Sequence, residues 1–292
     1  VGVNGLVNAY TITALNGVAY GLLLFTIAAG LTLIVGVAGV FSMAHGTLYL
    51  AGAYLAWRLA DGGWTGLALA LAAAVLVGVL GGTVLAAAVR PLTGRPLDQV
   101  LATLGIAYIA ADQFTTIFGA EPRSVDPPQA AAGSVTLGDY QYPVYRLGFI
   151  AVGLAVVAAL FWFVERSRVG AVVRAVVADA GMAAAAGLRT SAVRTGVVVG
   201  GGVLAVTAGA LGAPVIGPSP GVDTTILVYS LIVCVVGGLG SIRGALLAAL
   251  GVGQILTLGV ALVPGAAAFI LAAAMLAALT IRRRTALPGR PA

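Results

Sequence analysis

The sequence contains no lysine, one histidine and one cysteine in 292 residues, and charged residues make up 8% of it. Each scarcity removes a class of function. Without lysine there is no phosphate-binding loop of the form G-x-x-x-x-G-K-[ST], so any ATP that drives this protein is bound by another polypeptide. The single cysteine, Cys234, lies in an apolar run and excludes an intrachain disulfide or a cysteine-rich metal site. It reads as a small buried hydrophobe. The single histidine, His45, leaves no Cys/His pair, no second imidazole and no H-E-x-x-H, while the carboxylates are scattered over different loops. A catalytic grouping of Ser42, His45 and Asp112 has nothing further in its favour. The chain reads as a non-enzyme that holds no metal and no cofactor.

Hydrophobic residues fill the space that charge vacates. They make up 61% of the chain, whereas an ordinary globular domain carries about 25% charged residues. Uncharged runs from Gly17 to Trp57, Gly62 to Val89, Leu147 to Val164, Gly196 to Val222, Thr224 to Ile242 and Gly244 to Ile281 reach the roughly 18 to 20 residues needed to cross a bilayer as helix. The alternating segments of about 10 residues that mark a transmembrane barrel are absent. The expected fold is an all-α, polytopic transmembrane helix bundle embedded in the lipid bilayer. Its eight or nine membrane segments fall at about 11–38, 44–60, 64–89, 98–118, 147–165, 195–216, 223–240, 244–261 and 264–281. The second and eighth are short and glycine-rich, so either could be broken or re-entrant.

The net charge of +6 comes entirely from arginine. These arginines sit in short connections and at the C-terminus rather than on a soluble basic face, which argues against nucleic acid. Cytoplasmic loops collect basic residues. Arg90 and Arg95, the stretch from Arg166 to Arg194, and "RRRTALPGR" at the end can share one side, with the N-terminus outside and the C-terminus inside. The opening Val1-Gly2-Val3-Asn4 has no basic run before the apolar stretch, so no cleavable signal peptide is expected. Residues 119–146 mix both charges with prolines and read as an extracytoplasmic loop. The 42 glycines suit close helix packing in lipid, where small residues let backbones approach.

Polar groups at membrane depth are costly and usually face the bundle interior or a water-filled path. "VFSMAHGTLYLAGAY" places Ser42, His45, Gly46 and Thr47 together, and "LGIAYIAADQFTTIFG" places Asp112 with Gln113 near the outer end of its span. These six are the candidate path residues. The bland alternative for His45 is a neutral imidazole bonded to a carbonyl freed by the adjacent glycine. For Asp112 it is an interfacial carboxylate. Asp223, ahead of Thr224 and Thr225, reads as a helix cap.

"RAVVADAGMAAAAGLRTSAVR", from Arg174 to Arg194, predicts a short cytoplasmic helix stopped at Gly187 and a second element from about Thr190 or Ser191. An apolar helix outside the membrane needs a cover, and a partner protein is the better account.

Four blocks carry a resemblance: "GLTLIVGVAGVFSMAHGTLYLAGAYLAW", "RPLTGRPLDQVLATLGIAYIAADQFTTIFG", "RSRVGAVVRAVVADAGMAAAAGLRTSAVR" and "VVGGLGSIRGALLAALGVG". In this order they resemble permease subunits of bacterial importers of the ATP-binding-cassette class for branched-chain amino acids, urea and short amides. The resemblance implies a path formed with a second permease subunit, often a different chain. It also implies two cytoplasmic ATPase subunits that bind ATP and Mg, an extracytoplasmic solute-binding protein, and the bacterial inner membrane as location. The family's ATPase-docking loop would correspond to Arg174 to Arg194, inside a cytoplasmic loop of residues 166–194, with Arg174, Asp179, Met182, Ala183, Gly187 and Leu188 as candidate docking residues. Gly238, Gly240, Ser241 and Arg243 would form an inner turn or helix break, with Arg243 solvated. Thr47 stands where many relatives carry glutamate, Arg243 where they carry proline, and Ala178 where an acidic residue often precedes Asp179. Apart from the resemblance, an ion-coupled secondary transporter or a passive channel for a small solute such as urea would also suit a bundle of this kind.

Overall fold

Nine of the helices in the computed structural model coincide with the nine predicted segments, which locates the bundle directly on the hydropathy pattern. The structure describes residues 3–131, 133–137, 140–263 and 265–285. The helices are α1 (Val3–Leu33), α2 (His45–Leu59), α3 (Trp64–Val89), α4 (Pro96–Phe118), α5 (Val144–Arg166), α6 (Arg168–Ala178), α7 (Ala180–Ala185), α8 (Thr190–Gly212), α9 (Val222–Gly237), α10 (Ile242–Leu262) and α11 (Ala267–Thr285). Six of the described helical stretches are long and apolar enough to cross a membrane. The chain is a multi-pass membrane protein.

Helix α1 is apolar on every side, and such a helix belongs in a protein interior. Its residues Leu22, Leu24, Phe25, Ile27 and Leu31 are fully buried. Around it lie α5, α8, α9 and α10, and α8 in turn carries α2 and α3. Backbone approach explains how these helices come so close. A Cβ at Gly52 of α2 would lie 1.8 Å from the Val206 carbonyl oxygen of α8, and one at Gly209 of α8 would lie 1.9 Å from that of Tyr49. Only two glycine faces permit this contact.

Helix α2 corrects one expectation. It is short but unbroken, with nine of its 15 residues buried, and at 1.5 Å per residue it is about 22 Å long, less than the roughly 30 Å hydrocarbon core. It is an internal strut between α8, α3 and α9. Helix α10 is likewise continuous over 21 residues, so neither it nor α2 is broken within its length. The break lies instead at the end of α1, where a wide π-helical turn, Ile34–Ala38, closes on Gly39.

Near the start of α5, Asn16 Oδ1 accepts from Tyr142 at 3.1 Å and from Arg146 at 2.7 Å. Tyr54 stacks on Phe118 at 4.5 Å, and Arg123 lies 5.1 Å above the Trp57 ring. The 119–146 segment is not wholly irregular. Ser134–Leu137 (β1) and Tyr140–Pro143 (β2) pair as an antiparallel hairpin.

Candidate functional site

The chain leaves α1 through its π turn, reverses over Val40–Ala44, and enters α2 at His45. Two side chains pin this reversal. Thr103 of α4, fully buried, accepts from the Met43 N–H at 3.1 Å. His45 Nε2 lies 3.0 Å from the Ile27 carbonyl oxygen, and because a carbonyl only accepts, Nε2 carries the proton. The acceptor is therefore a mid-span carbonyl of α1, not one freed by Gly46. Gly46 has a different use: a Cβ there would sit 2.1 Å from the Asp223 carbonyl oxygen, so it lets α2 start directly against α9.

Ser42, His45 and Thr47 are each buried, at 0%, 0% and 4% exposure. Ser42 Oγ, His45 Nδ1 and Thr47 Oγ1 are enclosed without a hydrogen-bond partner among the described residues. Unmatched groups of this kind cost about 1 to 3 kcal/mol each. Asp112 and Gln113 do not join them. Both are exposed on the outward face of α4, beside Tyr108 and Ile109 at 70% and 68% exposure. Thr103 and Gln99 occupy the inward face. The proposed cap at Asp223 is also corrected. Gly221 is the N-cap of α9, with no side-chain cap bond, and Asp223 is buried within the first turn.

Between α5 and α8, the expected single helix is two helices divided by Asp179. Ser167 caps α6 by accepting from Gly170 N–H at 2.9 Å. Asp179 Oδ1 accepts from Gly181 and Met182 N–H at 2.8 and 2.9 Å, which starts α7. Gly187, with φ +87°, ends α7 as predicted. The Leu188 N–H bonds the Ala183 carbonyl and the Gly187 N–H that of Ala184, a left-handed stop suited to glycine. The second element begins at Thr190 and is α8 itself, so the α6–α7 pair runs straight into a central spanning helix.

Val173, Val176 and Ala183 are buried against Val37 in the π turn of α1, with Leu188 and Val193 packed alongside. Arg174 Nη1 donates to the Val164 carbonyl at the end of α5. Beside this anchored stripe, Val169, Val177 and Met182 are exposed at 55%, 44% and 73%.

The turn between α9 and α10 joins the same junction. Gly238 and Gly240 have φ of 96° and 79°, the Gly240 N–H donates to the Thr32 carbonyl at 3.2 Å, and a Cβ on Gly36 would fall 2.4 Å from Gly240 Cα. Ser241 caps α10 by accepting from Gly244 N–H at 3.1 Å. Arg243 is solvated, as expected, but also paired. Its Nε and Nη2 donate to Glu165 Oε1 at 2.9 and 2.5 Å. Sequence reading missed Thr103, Ile27 and Val37, which carry the connections between these groups.

Residues 13–279 match the protein family described as "Branched-chain amino acid transport system / permease component". The chain is 27% identical to BraD of Pseudomonas aeruginosa, described as a high-affinity branched-chain amino acid transport system permease protein, with 94% of each chain covered. It is 26% identical to the LivH permease proteins of Escherichia coli K12 and Salmonella typhimurium, with 82% of each chain covered. No solved structure matches it significantly. These relatives are transport permease subunits rather than enzymes, and the ion-coupled transporter and the passive channel are not favoured. The chain belongs to the family of branched-chain amino acid transport system permease components.

Proposed function

We propose that the protein is one permease subunit of a bacterial inner-membrane importer that moves a branched-chain amino acid, powered by ATP and Mg held in two partner ATPases. The observation that carries the reading is the α6–α7 pair. It is anchored on the end of α1 through Val173, Val176, Ala183 and Val37, and beside that anchor it leaves Val169, Val177 and Met182 uncovered. A partner bound to these exposed side chains moves the anchored helices with it, and α7 leads directly into α8. A ligand shifts such a switch only by interacting differently with its two states. The docking face is where the ATPases apply that difference.

A second permease subunit meets the outward face of α4. Asp112 and Gln113 support this, because a carboxylate turned toward lipid at spanning depth is costly and a protein partner or aqueous path relieves the cost. The buried Ser42, His45 and Thr47 then border the path at the start of α2, and solute runs along the α4 side. Arg90, Arg95, Arg166, Arg168, Arg174, Arg189 and Arg194 gather at the α6–α7 end, which supports an inside location for that end. The N-terminus then lies outside and the C-terminus inside, and a solute-binding protein docks at the hairpin end.

The test is uptake of labelled leucine and valine in cells lacking their own branched-chain importers, with this gene expressed beside its neighbouring transport genes. Saturable, ATP-dependent uptake that labelled urea does not share is expected. Uptake independent of ATP would overturn the reading.

A further inference from the structure

A second polar site lies at the inner end of the bundle, away from the α6–α7 docking face. A cavity of about 270 Å³ opens between the ends of α1, α3, α4 and α8. Its polar wall is formed by Arg90, Arg194, Thr190, Ser191 and Thr195. Its floor is apolar, with Ala38, Val40, Val89 and Val198. At about 30 Å³ per water, the space holds a group several waters in size.

The charge in this cavity is uncompensated. Neither Arg90 nor Arg194 makes an ion pair among the described residues, and Arg194 Nε is enclosed without a hydrogen-bond partner there. The acids at this end are engaged elsewhere: Asp98 with Arg95 at 3.9 Å, Glu165 with Arg243, and Asp179 in capping α7. The first turn of α8 adds to the positive potential, because its N-cap, Arg189, supplies no side-chain acceptor. Two arginines, three hydroxyls and an uncapped helix start together match an anion that accepts several hydrogen bonds.

We propose that this cavity binds a phosphate-bearing anion, the phosphodiester of an anionic phospholipid in the inner leaflet. The favoured source follows from position. The floor is continuous with the spanning helices and suits the glycerol and first acyl carbons, while the arginines stand at headgroup level. Basic pockets between spanning helices on the cytoplasmic side bind anionic headgroups in this way. A bound headgroup ties the start of α8 to α3 and α4, so it stiffens the element into which α7 feeds. The proposal does not depend on which solute is carried.

The experiment is lipid competition on the full chain purified in detergent with whatever subunits copurify, read by native mass spectrometry. Phosphatidylglycerol and phosphatidylcholine with identical acyl chains are compared, with inorganic phosphate as a third arm. Two arginines at headgroup level predict a preference for phosphatidylglycerol of roughly tenfold or more. Arg90→Gln/Arg194→Gln brings the ratio near unity, and Arg58→Gln, at the opposite end, leaves it unchanged. Thr195→Glu, which places a carboxylate in the cavity without removing either arginine, also abolishes the preference and decides the matter if the glutamine pair does not fold. Inorganic phosphate that binds wild type but not the glutamine pair, with no lipid preference, keeps the anion site and assigns it to a soluble phosphate. Equal retention of the two lipids with no phosphate binding overturns the proposal and leaves the cavity for an acidic side chain of a partner protein. A lipid preference untouched by all cavity variants overturns it as well.

Discussion

His45 Nε2 donates to the Ile27 carbonyl oxygen across 3.0 Å, tying the first residue of α2 to α1 six residues before that helix ends. Both residues are fully buried. The bond therefore sets where the chain re-enters the bundle after its π turn. His45→Ala removes the donor and leaves a space among packed helices, which predicts a loss of about 2 to 4 kcal/mol in stability. His45→Gln keeps a donor and is expected to lose less than half of that. Thermal unfolding in detergent distinguishes them. Equal midpoints for the alanine variant and wild type would show that the bond does not hold the two helices.

Close helix approach makes a sharper prediction, because two glycines at membrane depth differ only in surroundings. A Cβ at Gly52 would meet the Val206 carbonyl at 1.8 Å, whereas a Cβ at Gly105 on α4 would meet nothing within 4 Å. Gly52→Ala must push α2 from α8 and is expected to cost about 1 to 3 kcal/mol or more. Gly105→Ala removes a flexible residue from an exposed helix and is expected to be neutral or to stabilise by up to about 1 kcal/mol. The yield of folded protein and its unfolding midpoint report both. A Gly52 variant as stable as the Gly105 variant would contradict the packing.

The α6–α7 pair separates folding from partner binding. Met182 is 73% exposed, so Met182→Asp changes little in the chain itself, while it places charge on the proposed ATPase-facing surface. Unchanged midpoint, loss of ATPase copurification and at least tenfold slower uptake are expected. Asp179→Ala removes a cap with two backbone bonds and is expected to cost about 1 kcal/mol, with a smaller effect on uptake. If Met182→Asp supports wild-type uptake, the ATPases do not dock on this face.

These tests also mark what was legible in the sequence. Nine apolar segments could be read because lipid and the interior of a bundle held in it both demand apolar helix, and Gly187 could be read as a stop because few other residues tolerate its φ of +87°. The division at Asp179 was harder, since alanines on both sides favour continuous helix and only the side-chain bonds to Gly181 and Met182 decide otherwise. His45 and Thr103 were invisible as pins because their partners, the Ile27 carbonyl and the Met43 N–H, are backbone groups with no side-chain signature. The separation of Asp112 from His45 was accessible in part. From Thr103 to Asp112 a helix turns about 180° at roughly 100° per residue, so the buried threonine and the carboxylate fall on opposite sides of α4.

That opposition makes Asp112 the most informative residue for the path. The exposed face of α4 carries Leu101, Tyr108, Ile109, Asp112, Gln113 and Ile117, and lipid would accept all but the carboxylate and the amide. If lipid covers this face, Asp112→Leu removes a costly group and should leave uptake intact. If a second permease subunit or a hydrated path covers it, the same change leaves a polar partner unmatched. Breaking such a buried pairing typically costs about 3 to 5 kcal/mol, enough to separate the subunits or slow uptake by far more than tenfold. We expect the second outcome, with Asp112→Asn intermediate because it keeps hydrogen bonding and loses charge. Coisolation of the second subunit, measured beside uptake, tells the two protein-side causes apart. Lost association marks Asp112 as an interface residue, and retained association with lost uptake marks it as a path residue. Wild-type uptake in Asp112→Leu would assign this face of α4 to lipid.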